Sequence, residues 1–364
     1  MVLVGECRLE ADVVALPEPG PDELLMRVVL CGVCATDVHF FQGHLGVRYP
    51  LVLGHEFVGE VAAIGPVAAA RRGLEPGDRI AVEMLLPCGL CPRCREGRSN
   101  LCDEDDPFEE GLVGREYGCN MDGDRPPGLW GGYAQHLHVP REAVVHRLPP
   151  SLAWESAVFV EPLAVAFHAV GRARVGPADR VVVVGSGPIG LMLVLAARSA
   201  GAARVVVTGL EPERLALAER LGADAALDVR DADAGALVRA ALGGELTDVC
   251  LEAAGTPAAQ EQAVTLVRRG GRVGLVGACG PARVSFEPDT QLLLRELDLL
   301  PSFLSSGGYE PAIALLAREA WPVAELVAGY VGLDALPKLL AALAAGQRSG
   351  AAVKTVVDPW QVAA

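Results

Sequence analysis

The chain has 364 residues, 51% of them hydrophobic, and a formal net charge of −15. Its length and apolar content allow a large core in two domains or one large one, and its acidic charge argues against nucleic acid and anionic membranes as partners. No run of about 18 apolar residues and no basic-then-apolar start is present, so we expect no membrane span, no secretory signal and a cytoplasmic location.

The first segment with chemical character runs from Cys31 to Gly65, CGVCATDVHFFQGHLGVRYPLVLGHEFVGEVAAIG. Cys34, His39, His55 and Glu56 offer sulfur, nitrogen and oxygen donors, a mixture typical of catalytic zinc sites that keep one coordination position open. A lone histidine is more often a core or surface residue, but the glycines around His55 indicate close backbone approach and favour a ligand.

The same segment has a redox alternative. Cys31 and Cys34 form a C-x2-C pair of the thioredoxin-like kind. Such a pair opens a helix beside a βαβ unit, whereas the βαβ pattern of this chain lies about 150 residues later. The spacing therefore favours a metal site over a redox pair.

Four cysteines follow in CGLCPRCREGRSNLC, from Cys88 to Cys102, with spacing C-x2-C-x2-C-x7-C. In a reducing compartment such clusters bind metal more often than they form disulfides. A shell of four thiolates leaves no position for a substrate. We therefore predict a structural zinc; the alternative is a cysteine-rich loop without metal. The predicted ligands are Cys88, Cys91, Cys94 and Cys102.

The middle of the chain predicts a βαβ unit. An apolar strand, Val181 to Val184, precedes a glycine turn, a helix from Pro188 to Ser199 and a second buried strand, Val205 to Thr208. The turn has the G-x-G-x-x-G pattern, whose glycines permit the turn, the approach of a pyrophosphate and close packing of helix on strand. The helix N-terminus would hold the phosphates.

Further strands at 225–227, 249–252, 272–276 and 297–302 alternate with mostly helical segments, which predicts a doubly wound parallel sheet. The acidic residue that binds the adenosine ribose is expected about 20 residues after the last glycine, but Gly209 stands there. NAD(H) is favoured because Glu211 would repel the 2′-phosphate of NADP(H), yet Arg214 could face that phosphate, so NADP(H) stays open. The predicted cofactor-binding residues are Gly185, Gly187, Pro188, Ile189, Gly190, Gly209, Glu211, Arg214 and Gly277.

These segments together resemble the zinc-dependent medium-chain dehydrogenases/reductases, the superfamily of alcohol, polyol and threonine dehydrogenases. Over essentially the whole chain the order agrees: CGVCATDVH, GHEFVGEVAAIG, PGDRI, the four-cysteine segment, GGYAQHLHVP, EPLAVAFHA and the glycine turn. The resemblance implies an α/β chain with an irregular β-barrel (GroES-like) catalytic domain and an inserted Rossmann domain, with the active site in the cleft between them. The implied domains are 1–152 with 305–364, including a zinc lobe at 87–103, and 153–304.

By position, the resemblance makes Cys34 and His55 ligands of a catalytic zinc. It makes Glu56 a ligand or an exchangeable neighbouring carboxylate, and Asp37 the group that orients His55. Thr36 would accept the substrate proton and relay it through the cofactor ribose to His39. A helix cap for Thr36 and a solvated side chain for His39 are the alternatives.

Glu161 stands where the alcohol branch has a cysteine ligand. The sequence EPLAV is similar to the polyol, sugar and amino-alcohol branches, where that glutamate binds zinc or holds its water. A helix cap before Pro162 is the alternative. Which of Glu56 and Glu161 is the third protein ligand stays open.

The predicted function is oxidation of a secondary alcohol, polyol, cyclitol or amino alcohol to the ketone, with one catalytic and one structural zinc and NAD(P). The predicted partners are the small-molecule substrate and other copies of the chain in a homodimer or homotetramer. A zinc-ribbon binding module and a reductase without catalytic zinc are the competing classes. An acidic, loop-like segment, Asp103 to Tyr133, could border the cleft or contact another subunit.

Overall fold

The computed structural model describes residues 1–46, 48–105, 114–347 and 353–361. The chain divides into two compact units: the first contains Met1–Glu161, Leu316–Glu319 and Val323–Ala364, and the second Pro162–Leu315 and Ala320–Pro322. Residues 153–161 thus belong to the first unit and 305–315 to the second, whereas the sequence-based boundaries fall at 152 and 304.

The strands, in chain order, are β1 Val2–Gly5, β2 Arg8–Glu10, β3 Leu24–Gly32, β4 Leu51–Val52, β5 Glu56–Ile64, β6 Arg79–Val82, β7 His136–Val139, β8 Val145–Arg147, β9 Arg180–Val184, β10 Arg204–Gly209, β11 Ala225–Asp228, β12 Thr247–Glu252, β13 Val267–Leu275, β14 Asp298–Pro301, β15 Val327–Val331 and β16 Lys354–Val357.

The α-helices are α1 Ala35–Phe41, α2 Pro66–Arg72, α3 Pro92–Arg95, α4 Trp154–Ala157, α5 Val160–Arg172, α6 Pro188–Ser199, α7 Pro212–Arg220, α8 Ala234–Ala241, α9 Pro257–Leu266, α10 Tyr309–Leu316 and α11 Leu336–Ala344. Several begin with proline in the first turn, where its fixed φ suits the helix and its missing N–H costs no hydrogen bond.

The first unit is built on a seven-stranded sheet in the order β15-β16-β3-β5-β6-β8, with β7 also paired to β3. The antiparallel register of β3 and β5 sets Gly32 opposite Glu56. The end of β3, just before Cys34, therefore lies beside the start of β5, just after His55. This register brings together two parts of the chain that both supply predicted metal ligands.

The second unit contains a six-stranded parallel sheet in the order β11-β10-β9-β12-β13-β14. Its central strand β9 is buried from Val181 to Val184, as expected of a strand covered on both faces. Strand order reverses between β9 and β12, which is the switch point where such sheets bind ligands. The predicted α/β class and doubly wound sheet are confirmed.

Part of the acidic segment after the four cysteines, residues 106–113, lies outside the described residues. Of the rest, Asp103–Asp105 form a 3₁₀ turn, and single bridges pair Leu51 with Asp122 and Leu85 with Glu116.

Candidate active site

Cys34 is placed by the junction of β3 and α1. It is the N-cap of α1, and its backbone N–H donates to Asp37 Oδ2 at 2.8 Å, three residues into the helix. The Cys34 Sγ lies 3.6 Å from Thr36 Oγ1. Because the helix N-terminus favours negative charge, this position suits a thiolate.

Asp37 organises the surroundings of His55. Its carboxylate is fully buried and accepts the Tyr133 hydroxyl at 2.8 Å and the Gly54 N–H at 3.3 Å. Its Oδ1 lies 3.4 Å from His55 Nδ1. With Nδ1 facing Asp37, the other ring nitrogen is the one left for a metal.

A thiol also faces His55. Cys119 Sγ lies 3.7 Å from the His55 Nδ1. Burial by itself would lower the pKa of His55, but Cys119 and Asp37 outweigh it and hold that pKa well above its usual value. The ring is therefore held by two neighbours on its Nδ1 side.

Cys34, His55 and Glu56 each offer a ligand atom, and these atoms lie within 4.8 Å of one another. One thiol, one imidazole and one carboxylate are a donor set that zinc accepts, and three protein ligands leave a coordination position for substrate. The residues present therefore fit a catalytic zinc. Their assignment as its ligands stays a prediction.

Glu161 lies outside that three-residue group. It is buried near the start of α5. Burial raises its pKa to about 7, which the His55 charge opposes and the Glu56 charge reinforces. Glu161 is thus an electrostatic neighbour of the predicted ligands.

A buried ion pair occupies the other side of Glu56. The Lys354 ammonium donates to Glu56 Oε1 at 2.7 Å and Oε2 at 2.6 Å, and to the Val33 carbonyl at 3.4 Å. Burial alone would lower the pKa of Lys354, but Glu56, Cys34 and Glu161 hold it above its usual value. Glu56 therefore already pairs with a cation, Lys354, that the sequence analysis did not place in the site.

The predicted proton-transfer residues share one helix. Thr36 and His39 are three residues apart on α1 and so lie on one face of it. His39 Nδ1 lies 3.5 Å from the Nδ1 of the exposed His44. Burial and His44 both lower the pKa of His39.

The four cysteines of the lobe also come together, with sulfur atoms within 4.8 Å of one another. Backbone N–H groups point at the sulfurs: Cys91 and Leu90 donate to Cys88 Sγ, and Cys94 to Cys91 Sγ, at 3.3–3.4 Å. Hydrogen bonds from Asp103 N and Cys94 N lower the pKa of Cys91 to about 7. This set fits a closed tetrahedral zinc, and every cysteine of the chain is a free thiol rather than half of a disulfide.

The glycine turn joins β9 to α6. A Cβ at Gly190 would lie 1.9 Å from the Gly185 carbonyl oxygen, whereas one at Gly187 would meet nothing within 4 Å. Close packing at the third glycine and open space at the second, above the N-terminus of a twelve-residue helix, fit a bound pyrophosphate.

The remaining predicted cofactor residues lie in the second unit. Pro188 and Ile189 begin α6, Gly209 ends β10, and Glu211 is the N-cap of α7, which includes Arg214. The Gly277 N–H donates to the Glu252 carbonyl at 3.0 Å. Neighbouring this set are two buried oxygens with no hydrogen-bond partner in the described part of the chain, Ser186 Oγ and Glu252 Oε2.

Two family models match this sequence. The alcohol dehydrogenase GroES-like domain matches residues 20–150, and the zinc-binding dehydrogenase domain matches residues 188–318. The chain belongs to the zinc-dependent medium-chain dehydrogenase/reductase family. The predicted family and GroES-like domain are thereby confirmed.

Individual relatives support the same family assignment. A probable alcohol dehydrogenase of Mycobacterium tuberculosis (strain H37Rv) is 38% identical over 358 residues, 96% of this chain and 95% of that protein. A sorbitol dehydrogenase of Bacillus subtilis (strain 168) is 33% identical over 334 residues, 90% and 88% of the two chains. A solved zinc-binding dehydrogenase of Sinorhizobium meliloti 1021 bound to NADP has a TM-score of 0.83 at 32% identity and covers 98% of each chain.

This dehydrogenase is an oxidoreductase that acts on CH–OH groups with zinc and a nicotinamide cofactor. The enzyme class and the two kinds of cofactor predicted from the sequence are confirmed. The zinc-ribbon alternative loses its support, because the four-cysteine lobe lies inside the matched GroES-like domain.

No helix in the described residues has the length and apolar character needed to cross a membrane.

Sequence reasoning missed three neighbours of the site. Lys354 had a signal, since it is one of two lysines and lies in the apolar run AAVKTVV. Tyr133 lies within the motif GGYAQHLHVP. Cys119 is buried, and no local pattern predicts that it faces His55.

Proposed function

We propose that this dehydrogenase oxidises a secondary alcohol group of a polyol, cyclitol or amino alcohol to the ketone. The observation that carries the proposal is a donor set with one cysteine and carboxylates, Cys34, His55 and Glu56 with Glu161 nearby. In the resemblance stated above, a glutamate at position 161 belongs to the polyol and amino-alcohol branches. The 33% identical sorbitol dehydrogenase supports the same substrate class.

Cys34, His55 and Glu56 would hold the catalytic zinc, and Cys88, Cys91, Cys94 and Cys102 the structural one. The catalytic zinc supplies a Lewis acid that makes an alcohol hydroxyl more acidic, and the nicotinamide supplies the hydride acceptor. Of the two candidate carboxylates, Glu56 is favoured as third protein ligand because it belongs to the three-residue group and Glu161 does not.

The remaining steps belong to side chains of the chain. Asp37 fixes the ring of His55 from the Nδ1 side. Thr36 is the first acceptor of the substrate proton, and its hydroxyl lies 3.6 Å from the Cys34 sulfur. His39, on the same face of α1, delivers that proton to solvent, where His44 adjoins it.

NAD(H) is the favoured cofactor. Glu211 lies two residues after the ribose position at Gly209, and Asp228 pairs with Gly209 across β10 and β11. Arg230, a cation close by, is bound to Asp228 at 2.7 Å. Negative charge there would disfavour a 2′-phosphate. NADP(H), which is bound in the Sinorhizobium meliloti structure, is the alternative.

The proposal is tested with a panel of secondary alcohols, polyols, cyclitols and amino alcohols, followed by the absorbance of the reduced cofactor with NAD and with NADP. We expect turnover of at least one polyol, cyclitol or amino alcohol at a higher kcat/KM than simple alcohols, with NAD preferred. A preference for simple primary alcohols would contradict the substrate class, and a preference for NADP would contradict the cofactor.

Cys34→Ser is the matched loss-of-function variant and should remove turnover of every substrate in the panel. The predicted cytoplasmic location and the homodimer or homotetramer stay predictions that accompany this proposal.

A further inference from the structure

Glu56 lies between the Lys354 ammonium and the donor atoms of the predicted zinc site. Both of its oxygens accept hydrogen bonds from Lys354, and one of them lies within 4.8 Å of the donor atoms of Cys34 and His55. The side chains of Lys354 and Glu56 are only 2% and 1% exposed. In so dry a setting, the ammonium and a metal compete for the same carboxylate charge, since water screens neither.

The backbone fixes this arrangement. Strand β16 begins at Lys354 and pairs with β3, with Val356 opposite Gly32, and the Val33 N–H donates to the Thr355 carbonyl at 2.9 Å. A Cβ at Gly32 would lie 2.1 Å from Glu56 Oε2. The absence of a side chain at position 32 therefore leaves room for the carboxylate between the strand and the ammonium.

The choice of lysine is informative in this composition. The chain has 29 arginines and two lysines, so a position that needed only positive charge would be expected to hold arginine. Arginine grips both oxygens of a carboxylate in a rigid fork, whereas an ammonium is a compact charge with rotatable donors. A carboxylate has about four lone-pair sites, so Glu56 can bind Lys354 and still offer oxygen to a metal.

We propose that Lys354 is a positioning residue that keeps Glu56 an exchangeable, rather than permanent, ligand of the catalytic zinc. Its ammonium draws the carboxylate toward β16 and thereby weakens the hold of Glu56 on the ion. This inference rests on the proposed function only for the location of the zinc. It requires no particular alcohol as substrate.

The test replaces Lys354 with Met, which has similar length and no charge. Without the ammonium, Glu56 should bind the ion permanently. We expect loss of catalytic zinc to a chelator to slow by about 10- to 100-fold; removal of a group that merely orients a metal ligand would instead speed that loss by a similar factor. In Co²⁺-substituted enzyme, the visible absorption should weaken, as expected when cobalt gains a ligand.

Three further variants separate positioning from folding. Lys338→Met removes the other, exposed lysine and should change neither readout. Lys354→Arg should hold both oxygens of Glu56 in its fork, keep the strong cobalt absorption and release zinc at least as fast as the wild type. The double variant Glu56→Gln/Lys354→Met removes the whole ion pair, avoids an uncompensated buried charge, and should lose zinc at least as fast as the wild type.

A purely structural Lys354 would lower the Tm of the Met variant and leave the cobalt spectrum and the rate of zinc loss unchanged, which would overturn the proposal. Equal zinc retention in the single and double variants would also overturn it, because the effect would not pass through Glu56. The cobalt and chelator readouts need no substrate, so a failed alcohol panel would refute the substrate class and leave this inference standing.

Discussion

At the residue scale, Ser186 explains why the expected acidic residue is absent from the end of β10. A Cβ at Gly209 would lie 2.4 Å from Ser186 Oγ and 2.9 Å from Ser186 Cβ. The serine is buried, and its hydroxyl has no hydrogen-bond partner in the residues that the structure describes. Rotation of the hydroxyl would still leave the second contact. The residues at the glycine turn and at the ribose position therefore constrain each other: with serine at position 186, position 209 has room only for glycine.

We expect Gly209→Asp alone to lower the free energy of unfolding by about 1–3 kcal/mol, as overpacking usually does, and to gain no affinity for NAD(H). The double variant Ser186→Gly/Gly209→Asp should recover much of that stability and bind NAD(H) more tightly than the single variant. Urea unfolding and fluorescence titration with NADH and NADPH measure both effects.

Gly329→Asp is the control, since a Cβ there meets nothing within 4 Å. If Gly209→Asp has the same free energy of unfolding as Gly329→Asp, the Ser186 side chain moves aside without loss of stability, and the steric explanation is wrong.

At the element scale, one carboxylate ties together three parallel strands. Asp248, in β12, accepts the backbone N–H and Nε of Arg180 in β9, both at 2.9 Å, and the Nε of Arg268 in β13 at 2.6 Å. Although burial alone would raise its pKa, these hydrogen bonds lower it to about 2. A hydrophobic pattern predicts the strands but not this tie, because the partners lie far apart in sequence.

Asp248→Asn should lower the free energy of unfolding at pH 7 by about 1–3 kcal/mol, the usual cost of leaving buried hydrogen-bonding groups unsatisfied. Because the pKa is lowered from 3.8 to about 2 by folding, the contribution of Asp248 is present above pH 4 and is lost as the pH falls toward 2. Urea unfolding from pH 7 downward should therefore show a smaller acid loss for the variant than for the wild type over that window.

Glu245→Gln is the matched control. Glu245 lies 3.7 Å from Arg180 but is 71% exposed, and exposed pairs contribute little. An equal loss of stability in both variants would mean that the strand tie has no special role.

At the scale of the whole molecule, the two ligand groups are both in the first unit but differ in kind: one is a closed set of four thiols, the other a mixed set with room for substrate. We predict two zinc ions per chain by elemental analysis.

Cys91→Ser should lose one ion and lower the Tm, because metal binding at such sites contributes folding free energy. Cys34→Ser should keep the Tm close to that of the wild type and lose turnover.

Cys91→Ser with an unchanged Tm and no turnover would reverse the two roles. One zinc or none in the wild type would remove the two-site interpretation altogether.

Much of this architecture is predictable from the sequence, since strand–helix alternation is a local pattern. The predicted strand at 225–227 and the helix from Pro188 to Ser199 correspond closely to β11 and α6. The ligand groups could be predicted because sulfur, imidazole and carboxylate donors occur in short, spaced motifs. The contacts of Lys354 with Glu56 and of Cys119 with His55 could not be predicted, because they depend on strand register and loop packing across long stretches of the chain.

The ion pair that holds Glu56 has one more consequence, for amine chemistry. Lys354 is shielded and already donating to a carboxylate, while Lys338 is exposed on α11. Of the two lysine side chains, reagents that acylate amines therefore have one ready target in the native fold, Lys338. A dye, a biotin or a solid support coupled to a lysine side chain would attach there, and acylation of Lys354 would mark molecules in which β16 has come away from β3.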